Sequence, residues 1–103
     1  MNGVLLFLTC ANQREARVIS TALLKERLIV CAKTVPVAST FRWKGKIEEA
    51  KEVLLLMETV EEKFSKIERE VRRLHSYEQF VLLSVPIGGA SKGVTRWIEG
   101  ELQ

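Results

Sequence analysis

The most informative part of this chain is residues 29–59, which read IVCAKTVPVASTFRWKGKIEEAKEVLLLMET. Two extended stretches rich in β-branched and aromatic residues flank the polar segment at residues 44–46, and this pattern is typical of a β-hairpin. The first arm, residues 29–43, contains Pro36, which cannot donate to a sheet ladder and predicts a bend or a bulge. The second arm, residues 47–59, is expected to return antiparallel to the first.

Apolar periodicity predicts the elements outside the hairpin. They are, in chain order, a strand at residues 4–9, a helix that Asn12 caps and that ends near residue 26, a helix at residues 61–74, a strand at residues 80–85 and a short helix at residues 94–102. This order predicts an α+β fold, a split βαβ sandwich with a long hairpin and a short C-terminal helix. With 103 residues, the chain is expected to form one domain over residues 1–103.

Three of the predicted strands contain uninterrupted apolar runs, at residues 4–8, 53–57 and 80–83. Such runs send apolar side chains to both faces of a sheet, so both faces need a cover. The two longer helices can cover one face, and the short last helix can shield only part of the other. The long hairpin arms also outrun strands of about six residues, which leaves edges unpaired. We therefore expect other copies of this chain to cover the second face and to pair with the hairpin.

Composition narrows the class of protein. The 16 Lys and Arg residues and 13 Asp and Glu residues give a net charge of +3, and the two signs alternate along the chain. This pattern indicates a solvated surface and not a nucleic-acid interface. The longest apolar run is far below the roughly 20 residues that cross a bilayer, and Cys10 and Cys31 have no disulfide or zinc-finger spacing. We expect a cytoplasmic protein that binds neither nucleic acid nor membrane.

Catalytic machinery is weakly represented. The chain contains no Asp, and nothing marks a serine that His75 could activate. A split βαβ fold also serves RNA-binding modules, which stack bases on aromatic residues of the central strands, but only Phe7 is placed to do so. An acylphosphatase-like enzyme, using Asn12 and Arg14, is a further and weaker alternative. We therefore expect a protein without enzymatic activity.

Several segments match one known family in the correct order. They are residues 24–32 (LKERLIVCA), 41–47 (FRWKGKI), 52–55 (EVLL), 74–78 (LHSYE) and 97–98 (WI). On these residues the chain resembles the CutA family, which is named for divalent-cation tolerance. The resemblance implies a homotrimer of ferredoxin-like subunits whose long hairpins pair between subunits. It also implies binding of copper or another divalent cation, no enzymatic activity, and a likeness in shape to PII-type signalling trimers.

The chain departs from the family pattern at five positions near the cleft expected between subunits. Ser76 stands where the family usually has proline, and Phe80 and Val81 stand where it has Pro-Glu. Glu58 replaces a lysine, and Phe41 replaces a tyrosine. The polar groups of that cleft are therefore altered in this chain.

His75 and Cys10 are the candidate metal ligands. In the predicted order the last strand lies antiparallel to the first, so the segment before it, with His75, lies near the end of the first strand at Cys10. A thiolate and an imidazole suit copper or zinc, although two ligands do not define a site. The alternative is a helix-capping histidine beside a buried, inert cysteine. No obligatory cofactor is expected.

A second candidate site combines a stacking face, fixed charges and hydroxyl groups. Its predicted members are Trp43, Lys46, Glu52, Tyr77 and Glu78. Together they could bind an organic anion between subunits, as in a PII-like ligand sensor. The alternative assigns these residues to the hairpin and to the subunit interface, where aromatic residues are common.

Overall fold

The computed structural model describes residues 2–102, which form one four-stranded antiparallel sheet and three α-helices. The strands are β1 (Gly3–Cys10), β2 (Cys31–Trp43), β3 (Lys46–Val60) and β4 (Leu82–Pro86). The helices are α1 (Gln13–Lys25), α2 (Phe64–Leu74) and α3 (Val94–Glu101), and a 3-10 turn at Glu61–Lys63 precedes α2. The strand order is β2-β3-β1-β4, with β1 and β3 at the centre. The predicted α+β fold of the split βαβ type is confirmed.

Helix α1 begins and ends through local hydrogen bonds. Asn12 is the N-cap, and its Oδ1 accepts the N–H of Glu15 at 2.8 Å. At the other end Arg27 adopts a positive φ of 57°, which turns the chain sharply out of the helix. The N–H of Leu28 then donates to the carbonyl of Leu23 at 3.0 Å. The predicted cap and the predicted end of this helix are both confirmed.

The hairpin of β2 and β3 is longer than the rest of the sheet. The two strands pair in one unbroken register from Cys31 opposite Glu58 to Trp43 opposite Lys46. Lys44 (φ 49°) and Gly45 (φ 81°) form the two-residue turn, where two positive φ values match the twist of the arms. In the described chain, residues 46–52 of β3 pair with β2 alone, since β1 begins to pair at Val53. We call this projecting part, residues 37–52, the ribbon.

The bulge that was one of two irregularities predicted at Pro36 does not occur. Pro36 lies in register opposite Val53 within the continuous pairing of β2 and β3. Strand β2 is at the edge of the sheet, where every second N–H points away from the neighbouring strand. A proline at such a position removes no ladder hydrogen bond, so the strand needs no irregularity to accept it.

The two faces of the sheet have different surroundings. The face under α1 and α2 carries the main core, which includes Leu6, Leu8, Leu55, Met57, Ile19, Leu23, Ile67 and Val71. The register places a second set of apolar side chains on the opposite face, which we call the open face: Leu5, Phe7, Val35, Leu54, Leu56, Leu83 and Val85. Leu83 is 57% exposed and Val85 is 45% exposed. Both faces are therefore apolar, as the uninterrupted runs predicted.

The short helix α3 packs against β3 and buries Ile98. Its C-terminal end is held by Arg27, whose Nε donates to the carbonyl oxygen of Glu101 at 2.8 Å. The guanidinium also lies 3.4 Å from the carbonyl oxygens of Gly100 and Leu102. Because helix C-termini leave carbonyl groups unpaired, one arginine satisfies several acceptors here.

Candidate functional site

Three possible metal ligands meet where the end of β1, the start of α1 and the segment after α2 come together. The donor atoms of Cys10, Glu15 and His75 all lie within 4.8 Å of one another. We call these three residues the cation cluster. The structure brings Cys10 and His75 together, as the predicted strand order required. Glu15 is an addition that the sequence analysis missed, although its position three residues after the N-cap Asn12 is a capping-box signal.

The ring of His75 is fully buried and both of its nitrogens are engaged. Nε2 lies 2.8 Å from the carbonyl oxygen of Thr9, so Nε2 carries the proton and donates it. Nδ1 is then the acceptor, and the backbone N–H of Tyr77 donates to it at 3.0 Å. Phe80 stacks on the imidazole, with 5.4 Å between ring centroids. His75 is also the C-cap residue of α2, as the alternative interpretation expected.

Glu15 joins the start of α1 to the segment after α2. Its Oε1 accepts the N–H of Ala11 at 2.8 Å, and its Oε2 accepts the N–H of Ser76 at 2.7 Å. Burial opposes ionisation, but the hydrogen bonds from Ala11 and Ser76 outweigh it and hold the pKa of Glu15 below its ordinary value. Oε1 also lies 3.6 Å from Nδ1 of His75.

Cys10 is a thiol within the core. Its side chain is fully buried at the end of β1, and both Cys10 and Cys31 are free of disulfides. Burial, followed by the negative charges of Glu15 and Glu52, raises the pKa of Cys10 to about 12. A thiolate ligand would therefore form here only if an incoming cation displaced the thiol proton.

The cation cluster suits a borderline or soft divalent ion in the type of its donors. One sulfur, one imidazole nitrogen and one carboxylate oxygen match the donors that bind zinc and copper ions. Ligand bonds to zinc are about 2.0–2.3 Å long, so donor atoms that share an ion lie roughly 3–4 Å apart. A separation of up to 4.8 Å is close to that spacing and requires a small inward movement. The three donor types therefore suit such an ion, but His75 and Glu15 would have to give up hydrogen bonds that they make in this structure in order to bind it.

A polar pair lies beside the cation cluster. The hydroxyl of Tyr77 donates to Oε2 of Glu52 at 2.7 Å, and Glu52 is only 8% exposed. Burial, followed by the hydrogen bond and the charge of Glu52, raises the pKa of Tyr77 to about 12. The two residues were both predicted members of the second candidate site, and the structure brings them together.

The other predicted members of that site lie elsewhere in the chain. Trp43 and Lys46 face each other at the end of the ribbon. Glu52 lies six steps along the extended strand from Lys46, which corresponds to about 20 Å. Glu78 is exposed in the segment before β4. Within one chain the five residues therefore lie in three separate places: Tyr77 with Glu52, Trp43 with Lys46, and Glu78.

A further polar group lies on the open face, where the chain departs from the family pattern. Lys33 forms an ion pair with Glu58, with Nζ 2.9 Å from Oε2. The same ammonium donates to Sγ of Cys31 at 3.3 Å. The reversed charge at Glu58 is visible in the sequence, but its partner is not, since Lys33 reaches it only through the register of β2 with β3.

The chain is similar to known proteins over almost its whole length. The family model described as CutA1 divalent ion tolerance protein matches residues 4–101. The divalent-cation tolerance protein CutA of Archaeoglobus fulgidus is 34% identical over 94 residues, which is 91% of this chain and 92% of the relative. The protein CutA homolog of Xenopus laevis is also 34% identical, over 89% of this chain, but the chain spans only 62% of that protein's length.

Solved structures agree with the sequence matches. The structure of the periplasmic divalent cation tolerance protein CutA from Archaeoglobus fulgidus matches with a TM-score of 0.95 and 32% identity. The match covers 98% of this chain and 99% of that protein chain. Because the match covers nearly the whole chain, the shared fold includes the ribbon and α3 as well as the rest of the sheet.

The comparison corrects one prediction. The expected cytoplasmic location is wrong, because the matching Archaeoglobus fulgidus protein is periplasmic. Across residues 2–102, no helix combines the length and the apolar character that crossing a membrane requires. The family match over residues 4–101 and the 34% identity to a CutA protein carry the assignment. The chain therefore belongs to the CutA1 divalent ion tolerance protein family.

Proposed function

We propose that this chain forms a homotrimeric divalent-cation tolerance protein that acts by binding cations and not by turnover. The cation cluster of Cys10, Glu15 and His75 is the proposed binding site. One observation carries this proposal: three different donor types, from three separate segments, lie within 4.8 Å of one another. Copper and zinc ions are the class of cation that this donor set favours.

Each residue of the cluster has a separate part in binding. Glu15 offers a carboxylate whose lowered pKa keeps it ionised at neutral pH. His75 offers Nδ1, which already carries a lone pair because Nε2 holds the proton. Cys10 must lose its proton, so binding should release one proton per cation and weaken as the pH falls.

Metal titration of matched cysteine variants tests the site. Wild type, Cys10→Ala and Cys31→Ala are titrated with Zn²⁺ in competition with a chromophoric chelator, and Co²⁺ is used to detect a thiolate charge-transfer band. Cys31 is the control because it is the other free cysteine and lies outside the cluster. Cys10→Ala should lose the high-affinity site and the band, whereas Cys31→Ala should retain both. Equal Zn²⁺ affinity in all three proteins would overturn the proposed site.

The trimer is supported by two surfaces that one chain leaves uncovered. The open face presents Leu83 and Val85 to solvent, and a contiguous exposed apolar patch is typical of an interaction surface. The ribbon has an edge on β3 without a partner strand in the described chain, and such edges favour pairing with another chain. Sedimentation equilibrium at micromolar concentration should give three times the mass of one chain. A folded monomer or dimer would contradict the trimer.

A PII-like site for an organic anion is the second candidate. The partly buried Tyr77–Glu52 pair favours it, because a polar pair of this kind can orient a ligand in a cleft formed between subunits. Trp43 and Lys46 could complete the site only if the ribbon of a neighbouring subunit brought them to it. Thermal unfolding with citrate, with small organic phosphates and with Zn²⁺ distinguishes the candidates. A rise in Tm with an organic anion alone would favour the ligand sensor over the cation protein.

A further inference from the structure

Two backbone N–H groups close the cation cluster. Ser76 donates to Oε2 of Glu15 at 2.7 Å, and Tyr77 donates to Nδ1 of His75 at 3.0 Å. Both donors belong to the segment of residues 76–80 that follows α2, which we call the gate segment. Nδ1 of His75 and the carboxylate of Glu15 are the groups that the cluster would use to bind a cation. A cation therefore competes with the gate segment for the lone pair of Nδ1 and for the negative charge of Glu15.

The geometry decides which nitrogen of His75 a cation can use. Nε2 carries the proton that it donates to Thr9, so it has no free lone pair. Nδ1 points toward Glu15, whose Oε1 is 3.6 Å away, and it is therefore the nitrogen on the side of the cluster. Its single in-plane lone pair already accepts from Tyr77. A cation can bind Nδ1 only after the N–H of Tyr77 has moved away.

The gate segment is connected to a second contact by the side chain of Tyr77. Its hydroxyl donates to Glu52, at the base of the ribbon on β3. At its other end the segment is anchored by Phe80, which is 7% exposed, stacks on His75 and lies under the guanidinium of Arg72 at 4.7 Å. Movement of the Tyr77 backbone between these two attachments must strain the hydrogen bond to Glu52.

We propose that residues 76–80 act as a gate that cation binding opens, and that opening breaks the Tyr77–Glu52 hydrogen bond. This inference rests on the cation site proposed above. It adds a route by which occupancy of the cluster reaches the ribbon, since Glu52 belongs to the strand that forms it. The cation-free state is the closed state, with both backbone donors in place.

Two substitutions of Ser76 test the effect of the gate segment on cation affinity without replacing a ligand. Ser76→Pro removes the N–H that Glu15 accepts, whereas Ser76→Ala keeps it. His75 has φ −77° and ψ 140°, which is the extended conformation that a residue before proline adopts, so the proline is compatible with the chain before it. Neither change replaces a residue that is a proposed ligand. Ser76→Pro should bind Zn²⁺ roughly tenfold more tightly, the effect of one charge-assisted hydrogen bond that no longer competes, and Ser76→Ala should bind as wild type does.

The hydroxyl of Tyr77 gives a second readout, because it is the only tyrosine in the chain. Protein labelled with 3-fluorotyrosine should show one fluorine resonance in its NMR spectrum. Saturating Zn²⁺ should move this resonance toward its position in Glu52→Ala, where the hydroxyl has lost its acceptor. Zn²⁺ binding with an unchanged resonance, and with equal affinity in Ser76→Pro and Ser76→Ala, would overturn the gate while the cation site stands. Absence of Zn²⁺ binding in every variant would overturn the cation site and the gate together.

Discussion

Arg27 and Glu101 are joined by a hydrogen bond of 2.8 Å, from the guanidinium Nε of one to the backbone carbonyl of the other. This contact connects the turn after α1 to the end of α3, 74 residues further along the chain. Arg27 makes it from a backbone conformation with φ 57°, which residues with a side chain seldom adopt. Arg27 thus has a strained backbone conformation and also forms a hydrogen bond that holds α3 in place.

Substitution of Arg27 should separate these two effects. Arg27→Ala keeps the unfavourable φ and loses the hydrogen bonds to α3, so the free energy of unfolding should fall by about 1–2 kcal/mol. Arg27→Gly loses the same hydrogen bonds but relieves the strain, which returns about 1 kcal/mol. Urea unfolding at one fixed protein concentration measures both variants. Equal stability of the two would show that the positive φ carries no strain.

The buried hydroxyl of Thr59 should be important for stability. Thr59 is fully buried, and its Oγ1 donates to the carbonyl oxygen of Leu28 at 2.6 Å. Thr59→Val has nearly the same shape but leaves that carbonyl without this donor, so it should lower the free energy of unfolding by about 1–3 kcal/mol. Thr59→Ser keeps the hydroxyl and is the control. A serine variant as unstable as the valine variant would mean that the methyl group, and not the hydrogen bond, is decisive.

Tyr77 should ionise at unusually high pH in the cation-free protein. Burial and Glu52 raise its pKa to about 12, whereas a free tyrosine has a pKa of about 10. Since the pKa is higher in the folded state, the resulting stabilisation is complete below pH 10 and is lost as the pH rises through about 12. Phenolate absorbance reports this residue alone. Glu52→Gln should lower the midpoint, and an unchanged midpoint would remove Glu52 as a cause.

The open face should determine the oligomeric state. Leu83→Glu places a charge on that face at a side chain that is 57% exposed in the single chain, so the fold should survive while the proposed trimer dissociates. Val18→Glu is the matched control, because Val18 is 49% exposed but lies on α1. Sedimentation should give a smaller mass for Leu83→Glu only. Loss of assembly in both variants would point to a general effect of added charge.

Much of the fold could be predicted because it depends on local patterns. The spacing of Phe64, Ile67, Val71 and Leu74 marks α2, and the polar turn at residues 44–46 marks the hairpin, without reference to distant residues. The bulge predicted at Pro36 does not occur because a proline disrupts an edge strand less than a central strand. The sequence of β2 does not indicate that this strand lies at the edge of the sheet. The last strand begins at Leu82, two residues later than predicted, since Phe80 turns into the core against His75.

The candidate site was harder to predict than the fold. Cys10 and His75 could be placed together from the order of the strands alone. Glu15 joins them because its carboxylate lies within 4.8 Å of their donor atoms, in a tertiary arrangement that it also stabilises by accepting the N–H of Ser76, 61 residues away. Which nitrogen of His75 has a lone pair for a cation also depends on nearby backbone groups, such as the carbonyl of Thr9. The positions of those groups cannot be predicted from the pattern of side chains in the sequence.

The uninterrupted pairing along the hairpin, from Cys31 with Glu58 to Trp43 with Lys46, limits how its length can vary. Adding a single amino acid to one arm would move every side chain beyond it to the opposite face of the hairpin. Only equal additions to both arms preserve the pairing, and only even numbers preserve the side to which the tip points. The distance that this arm spans is therefore adjustable in steps of about 7 Å, two residues per strand at a time.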